Sequence, residues 1–120
     1  MLALENISKK FDDFNIKNVN LKVNEGEYSV ILGKSGTGKT LILEMIAGFM
    51  KPDSGSIWLK DNDITQKKIT GRDVGLVFQD YAIFPHKTVF GNIAYPIKNK
   101  RDLKSKVHKL ARQTGIDHLL

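Results

Sequence analysis

The sequence predicts an α/β fold organised around a phosphate-binding loop, and three observations carry that reading. Apolar and polar residues alternate through much of the first 25 positions, the signature of half-buried strands. A short, nearly unbroken apolar run at residues 28–32 (YSVIL) has the composition of a strand covered on both faces. Directly after it, residues 33–40 read GKSGTGKT and lead into an apolar segment of helical length, residues 41–47 (LILEMIA).

Taken in order, Leu2, Leu4 and Ile7 mark a first strand, and Phe14, Ile16, Val19, Leu21 and Val23 a second, joined around Asp12-Asp13. Glu25-Gly26 signals a turn before the strand at residues 28–32. Residues 41–47 are apolar on almost every side, so the helix they predict is buried. Gly48 is placed to end it, and Pro52-Asp53-Ser54-Gly55 to turn the chain. Residues 56–59 predict another strand, closed by the polar run 60–63 in which Asp61 and Asp63 read as turn residues. Residues 74–78 (VGLVF) predict a second central strand. Thr88 is positioned to cap a short helix through Tyr95, with Pro96 as its stop. After a basic linker at residues 98–101, Asp102 is positioned to cap a helix carrying Leu103, Val107, Leu110 and Ala111 on one face, and Gly115 to end it.

The loop carries the chemistry. Its pattern is Gly, four residues of any type, Gly, Lys, then Ser or Thr, met here by Gly33, Lys34, Ser35, Gly36, Thr37, Gly38, Lys39 and Thr40. Such a loop turns backbone N–H groups inward around phosphate oxygens, and Gly33, Gly36 and Gly38 permit the backbone angles and close approach that this needs. Lys39 is expected to reach the β and γ phosphates as a point charge and Thr40 to hold Mg²⁺ through its hydroxyl. The helix behind them aims its positive end at the phosphates. A merely flexible Gly-rich turn would not need Lys39-Thr40 at the helix entrance.

Composition narrows the class. At 120 residues, 41% apolar and 27% charged, the chain has the make-up of one soluble domain. Its apolar runs are too short to span a bilayer, and no export leader is recognised at the N-terminus. The absence of Cys excludes a disulfide framework and a thiolate metal site, and fits the cytosol. The net charge is +6, and seven of the 19 Lys and Arg fall at residues 98–112. Without aromatic residues interleaved among the cations, this stretch reads as a solvated helix face, and no nucleic-acid partner is expected.

Beyond the loop, residues 72–79 (RDVGLVFQ) and 79–95 (QDYAIFPHKTVFGNIAY) resemble the ATP-binding subunit of an ABC importer, the second stretch covering its Q-loop and the start of its helical subdomain. The resemblance runs through all 120 residues, and its wording is similar to motors for molybdate, tungstate or sulfate, with iron and polyamine importers sharing the same Q-loop wording. It implies the P-loop NTPase core of an ABC ATPase with an antiparallel N-terminal β part: residues 1–86 as the core to the Q-loop, and 87–120 as the start of the helical subdomain. It further implies that Phe11 stacks on the adenine ring and that Gln79 helps ligate Mg²⁺ and the attacking water. Phe84, Pro85 and His86 match the stretch lying near the membrane subunits. Two departures stand out: Lys34 where Pro is common, and Lys87 where an apolar residue is usual. His108 and His118 match no motif and read as surface residues.

The same resemblance implies what ATP and Mg²⁺ would do here. An intact subunit would couple ATP hydrolysis to solute import as a homodimer on transmembrane permease subunits, cytoplasmic and peripheral on the inner face of the membrane. The LSGGQ-type signature, the apolar strand ending in Asp-Glu and the switch His do not occur in these residues. The chain is therefore expected to represent about the first half of such a subunit and to be hydrolysis-incompetent alone, with Lys39 and Gln79 its only catalytic candidates. A non-catalytic ATP-binding module is the alternative.

Overall fold

In the computed structural model, which describes residues 1–120, the alternation at the N-terminus folds into β1 (Leu2–Lys10) and β2 (Asn15–Val23). The chain divides into two compact units, Met1–Leu76 and Val77–Leu120. In the first, β1 pairs antiparallel with β2 on one edge and with β3 (Ser54–Leu59) on the other. A short β4 (Asn62–Asp63) closes the order β2-β1-β3-β4. The hairpin joining β3 to β4 turns at Lys60 and Asp61, both at positive φ (49° and 63°), as a tight two-residue β-turn requires. Asp61 is thus a turn residue. Asp63 instead sits in β4, where its carboxylate accepts from the Thr65 amide and hydroxyl.

The inward face of the sheet presents Leu4, Ile7, Ile16 and Ile57 to α1 (Lys39–Ala47), which answers with Ile42, Met45 and Ile46. Ile7, Met45 and Ile57 are fully buried. Each side chain of this kind contributes about 1.5–3 kcal/mol through burial. The helix is not buried all round, however, since Leu43 stands 43% exposed. Gly48 ends α1 in the left-handed conformation, with φ 93° and its amide on the carbonyls of Glu44 and Met45.

Arg72 fixes that end of the helix. Its side chain is buried, with Nη1 donating to the carbonyls of Met45 (2.6 Å) and Ile46 (3.0 Å). Nη2 donates to the Thr65 carbonyl at 2.9 Å and Nε to that of Lys67 at 2.8 Å. Burial works against the charge and lowers the guanidinium pKa, so four carbonyl acceptors are what make the position tolerable. The fit is close: a Cβ on Gly48 would lie 2.6 Å from Arg72 Nε.

Two sequence expectations fail here. Residues 28–32 and 74–78, predicted as central strands, join no sheet. Tyr28, Leu32 and Val77 are 91%, 87% and 82% exposed. A strand covered on both faces needs ladder neighbours and packed layers on either side. The sheet of this chain is built entirely from other segments, so these apolar runs lie outside it.

In the second unit, the Thr88 hydroxyl accepts from the Gly91 amide at 3.1 Å and caps α2 (Val89–Ala94) as expected. Asn92 on α2 holds the preceding loop, accepting from the Phe84 amide and donating to the carbonyls of Phe84, Lys87 and Thr88. α3 (Leu103–Gln113) buries Val107 and Ala111, while Leu110 is 46% exposed and departs from the predicted apolar face. Asp102 precedes α3 but does not cap it with its side chain. Its backbone is left-handed (φ 54°), whereas side-chain capping uses an extended residue. Gly115 (φ 72°) closes α3, with the Ile116 amide on the Ala111 carbonyl at 2.9 Å.

Replacing Arg72 with Leu keeps the apolar stem, leaves the buried carbonyls of Ile46 and Thr65 and the part-buried one of Lys67 without this donor, and leaves Met45 only the Gly48 amide. The expected cost is about 3 kcal/mol, read as a lowered urea midpoint with an unchanged slope. An unchanged midpoint would mean that water satisfies those carbonyls and that the arginine is not what holds the helix end.

Candidate functional site

The N-terminus of α1 has no side-chain cap and no acidic residue in its first turn. Gly38 occupies the cap position with φ 90°, and the first amide paired along the helix is that of Ile42, on the Gly38 carbonyl at 3.0 Å. The N–H groups of Lys39, Thr40 and Leu41 are therefore left at the positive end of the helix dipole without helical partners. Natural helix starts satisfy such donors with Ser, Thr, Asp or Asn. Gly38 has no side chain to do so.

The loop before it folds back on itself. Both the amide and the hydroxyl of Thr37 donate to the Lys34 carbonyl, at 3.4 and 2.8 Å. Lys39 Nζ lies inside the resulting arc, donating to the carbonyls of Gly33 (2.8 Å) and Lys34 (2.6 Å), with Thr37 Oγ1 at 3.4 Å. A Cβ on Gly33 would come within 2.8 Å of Thr37 Oγ1, so a side chain there would displace the hydroxyl that closes the arc. Gly36 (φ 79°) meets the predicted need for left-handed backbone, while Ser35 and Thr40 are exposed on the loop and the first helical turn. An ammonium, uncapped helical amides and a hydroxyl form a donor set that suits a polyphosphate.

A second element supports the loop. A Cβ on Gly38 would lie 2.9 Å from the Phe14 ring and 3.2 Å from Ile16 Cδ1, so the helix start rests against the sheet. Phe14 in turn stacks on Phe11, centroids 5.1 Å apart and planes 8° from parallel. Lys9 Nζ stands 5.9 Å from the Phe11 centroid and is held by Asp53 at 3.1 Å. The Asp53 carboxyl lies below its usual pKa, chiefly through the Lys10 amide and then through Lys9. Phe11 thus has one face on Phe14, and both rings pack against the hydrophobic core. Sequence reasoning treated Phe14 only as strand core. The pairing across the Asp12-Asp13 turn was the available signal.

Gln79 belongs to the second unit, exposed on a turn in which the Tyr81 amide meets the Phe78 carbonyl at 3.0 Å. Tyr81 and Ala82 follow at positive φ (60° and 46°). Downstream, Phe84 packs on Tyr95 (4.6 Å) and His86 (5.9 Å), and Lys87 Nζ lies 5.7 Å from both the Phe84 and Tyr95 rings. Lys87 therefore sets its ammonium over two aromatic rings, a cation–π contact that an apolar residue would not make. No cluster of three or more His, Asp or Glu side chains is present that would hold a metal ion alone. A Mg²⁺ at Thr40 would depend on phosphate oxygens for much of its coordination.

A hollow of about 640 Å³ adjoins Lys39 and Thr40, walled by Leu21, Val23, Tyr28 and Val30. Residues 28–31, which join no sheet, form part of its lining.

Comparison with known proteins gives a consistent result. The family model for the ABC transporter matches residues 16–120. The molybdate/tungstate import ATP-binding protein WtpC of Pyrococcus horikoshii is 44% identical across all of this chain and 36% of its own length. A probable sulfate/thiosulfate import ATP-binding protein CysA of Chlorella vulgaris is 42% identical over 99% of this chain and 49% of its own. The spermidine/putrescine import ATP-binding protein PotA of Fusobacterium nucleatum is 43% identical over 97% and 32%. Among solved structures, cbiO1 from Clostridium perfringens, part of the ABC transporter complex cbiONQ, superposes with a TM-score of 0.80 at 27% identity, over 98% of this chain and 51% of that one. The ATP-binding cassette MJ0796 bound to ADP and Pi superposes at 0.78 with 25% identity, over 93% and 56%. The chain spans about a third to a half of the length of these curated relatives.

Gly38→Ala is expected to destabilise the first unit by about 2 kcal/mol, from left-handed strain together with contact on Phe14. In that background Phe14→Leu should restore part of the loss by removing the ring. If the second substitution instead adds to the first, Phe14 is not the obstacle.

Proposed function

This chain belongs to the ABC transporter family, and from that premise we propose that it is the nucleotide-binding part of an importer's ATP-binding subunit. The observation that carries the proposal is the uncapped start of α1 behind a closed arc that holds the Lys39 ammonium. Residues Gly33 to Thr40 would cradle the triphosphate of ATP, Lys39 would reach its outer phosphates, and Thr40 would hold Mg²⁺ beside the phosphate oxygens. For Gln79, in the second unit, the role toward Mg²⁺ and water that the family resemblance implies is proposed separately. Phe11, backed by Phe14 and with the Lys9 ammonium 5.9 Å from its centroid, is the proposed stacking residue for the adenine ring. Bound there, ATP supplies the phosphoryl group whose transfer to water drives transport.

Charge stabilisation and an oriented water decide the rate of phosphoryl transfer. This chain contributes Lys39 and Gln79 to those tasks, and no signature sequence or Asp-Glu strand end. The chain alone is accordingly proposed to bind ATP and not to turn it over. We assign residues 1–86 to the core up to the Q-loop and 87–120 to the start of the helical subdomain. The partners proposed are a second copy of the subunit and two transmembrane permease subunits, on the inner face of the membrane. No helix here is long and apolar enough to cross it. The names of the molybdate/tungstate and sulfate relatives favour an inorganic anion as the solute, while a polyamine importer is comparably similar.

Binding and turnover of a fluorescent ATP analogue with Mg²⁺ should be measured for the chain and for Lys39→Ala. Loss of one charge-assisted contact predicts binding about ten- to a hundred-fold weaker in the variant, with no turnover in either. Equal affinity would remove Lys39 from the site. Turnover that the variant abolishes would contradict the proposed incompetence.

A further inference from the structure

The positive charge of this protein is concentrated where the fold has no use for it. Lys98, Lys100, Arg101, Lys104, Lys106, Lys109 and Arg112 are seven cations within residues 98–112, against the single carboxylate of Asp102. The net charge of that stretch equals the +6 of the whole chain. All seven are exposed, and neither ion pair of the structure includes one of them.

Their placement also opposes local helix energetics. The first turn of α3 has no acidic residue, and Asp102 offers no side-chain cap. Three cations precede the helix, and Lys104 and Lys106 lie in its opening turns, where the dipole disfavours positive charge. Lys106, Lys109 and Arg112 recur every three residues along the side opposite the buried Val107 and Ala111. A ridge of like charges with no carboxylate partner, only Lys106 reaching a carbonyl (Asn99, 3.4 Å), lowers stability slightly and favours contact with an external array of anions.

We propose that this basic ridge of the second unit is a docking surface for the anionic headgroups of a phospholipid membrane. Amphipathic helices with four to eight clustered cations have this behaviour, at about five-fold in affinity per cation near the surface. The apolar side of α3 is already occupied by its own unit, with Val107 and Ala111 fully buried. The helix therefore cannot insert its apolar face, and adhesion is electrostatic, reversible and sensitive to salt. A nucleic acid is the other polyanion to consider. The ridge lacks the Phe, Tyr and Trp residues that serve as stacking platforms for bases, having none between Pro96 and Leu120. The proposal bears on the membrane location above and does not rest on nucleotide binding.

The test is co-sedimentation of the full chain with vesicles of phosphatidylcholine alone or containing roughly 30% phosphatidylglycerol, at low and high salt. Binding is expected only to the anionic vesicles, falling steeply with salt. The exposed triple variant Lys106→Gln, Lys109→Gln, Arg112→Gln should weaken it about a hundred-fold. A control variant with the same charge change at exposed sites elsewhere, Lys17→Gln, Lys22→Gln, Lys51→Gln, should bind nearly as the parent does. Lys39→Ala should leave vesicle binding unchanged, so that failure of the nucleotide reading and failure of this one are told apart. Equal loss in the two triple variants, equal binding to both vesicle types, or release from vesicles by duplex DNA at matched phosphate concentration would each overturn the proposal.

Discussion

The clamp that Arg72 places on the end of α1 is the constraint on which the first unit depends. A guanidinium with almost no exposure is costly unless every direction it points finds an acceptor. Here the acceptors come from two places: the last turn of α1, and the segment following β4. Gly48 is what lets the two approach, because a side chain there would meet the guanidinium. At the other end of the helix, Gly38 rests against Phe14 and Ile16. A nine-residue helix is thus pinned at both termini and by Ile42, Met45 and Ile46 along its length. The phosphate loop inherits its geometry from that anchoring, since its last residues are the first turn of α1.

The anchored helix start has a chemical consequence. Free amides at a helix N-terminus favour an anion most when the helix cannot shift away from it. In the structure described here the Lys39 ammonium is satisfied by loop carbonyls. Those bonds hold it inside the arc, so less ordering entropy is lost when a phosphate arrives than for a freely extended lysine.

How much of this could be read in advance differed by element. The alternation of Leu2, Leu4 and Ile7, the eight loop residues, the helix at 41–47 and the Thr88 cap all depend on short-range patterns, and each has its counterpart in the structure. The clamp was invisible because nothing in a lone Arg72 predicts burial, and cations are seldom buried. Residues 28–32 and 74–78 misled for a different reason. Apolar runs report a tendency to be covered, whereas a strand exists only where a neighbour pairs with it. Asp102 failed because capping depends on the backbone angle as well as the residue type. The loop's place at the head of α1 was legible, and the ring of Phe14 beneath it was not.

The central claim is that the amides at the start of α1 receive a triphosphate. Backbone amide chemical shifts of the isotope-labelled chain, recorded while Mg-ATP is added, test it most directly. The account predicts large shifts at Gly36, Gly38, Lys39 and Thr40, with smaller ones at Phe11 and Phe14 and none of comparable size at residues 98–112. Shifts confined to the basic helix, with the loop amides unmoved, would contradict it.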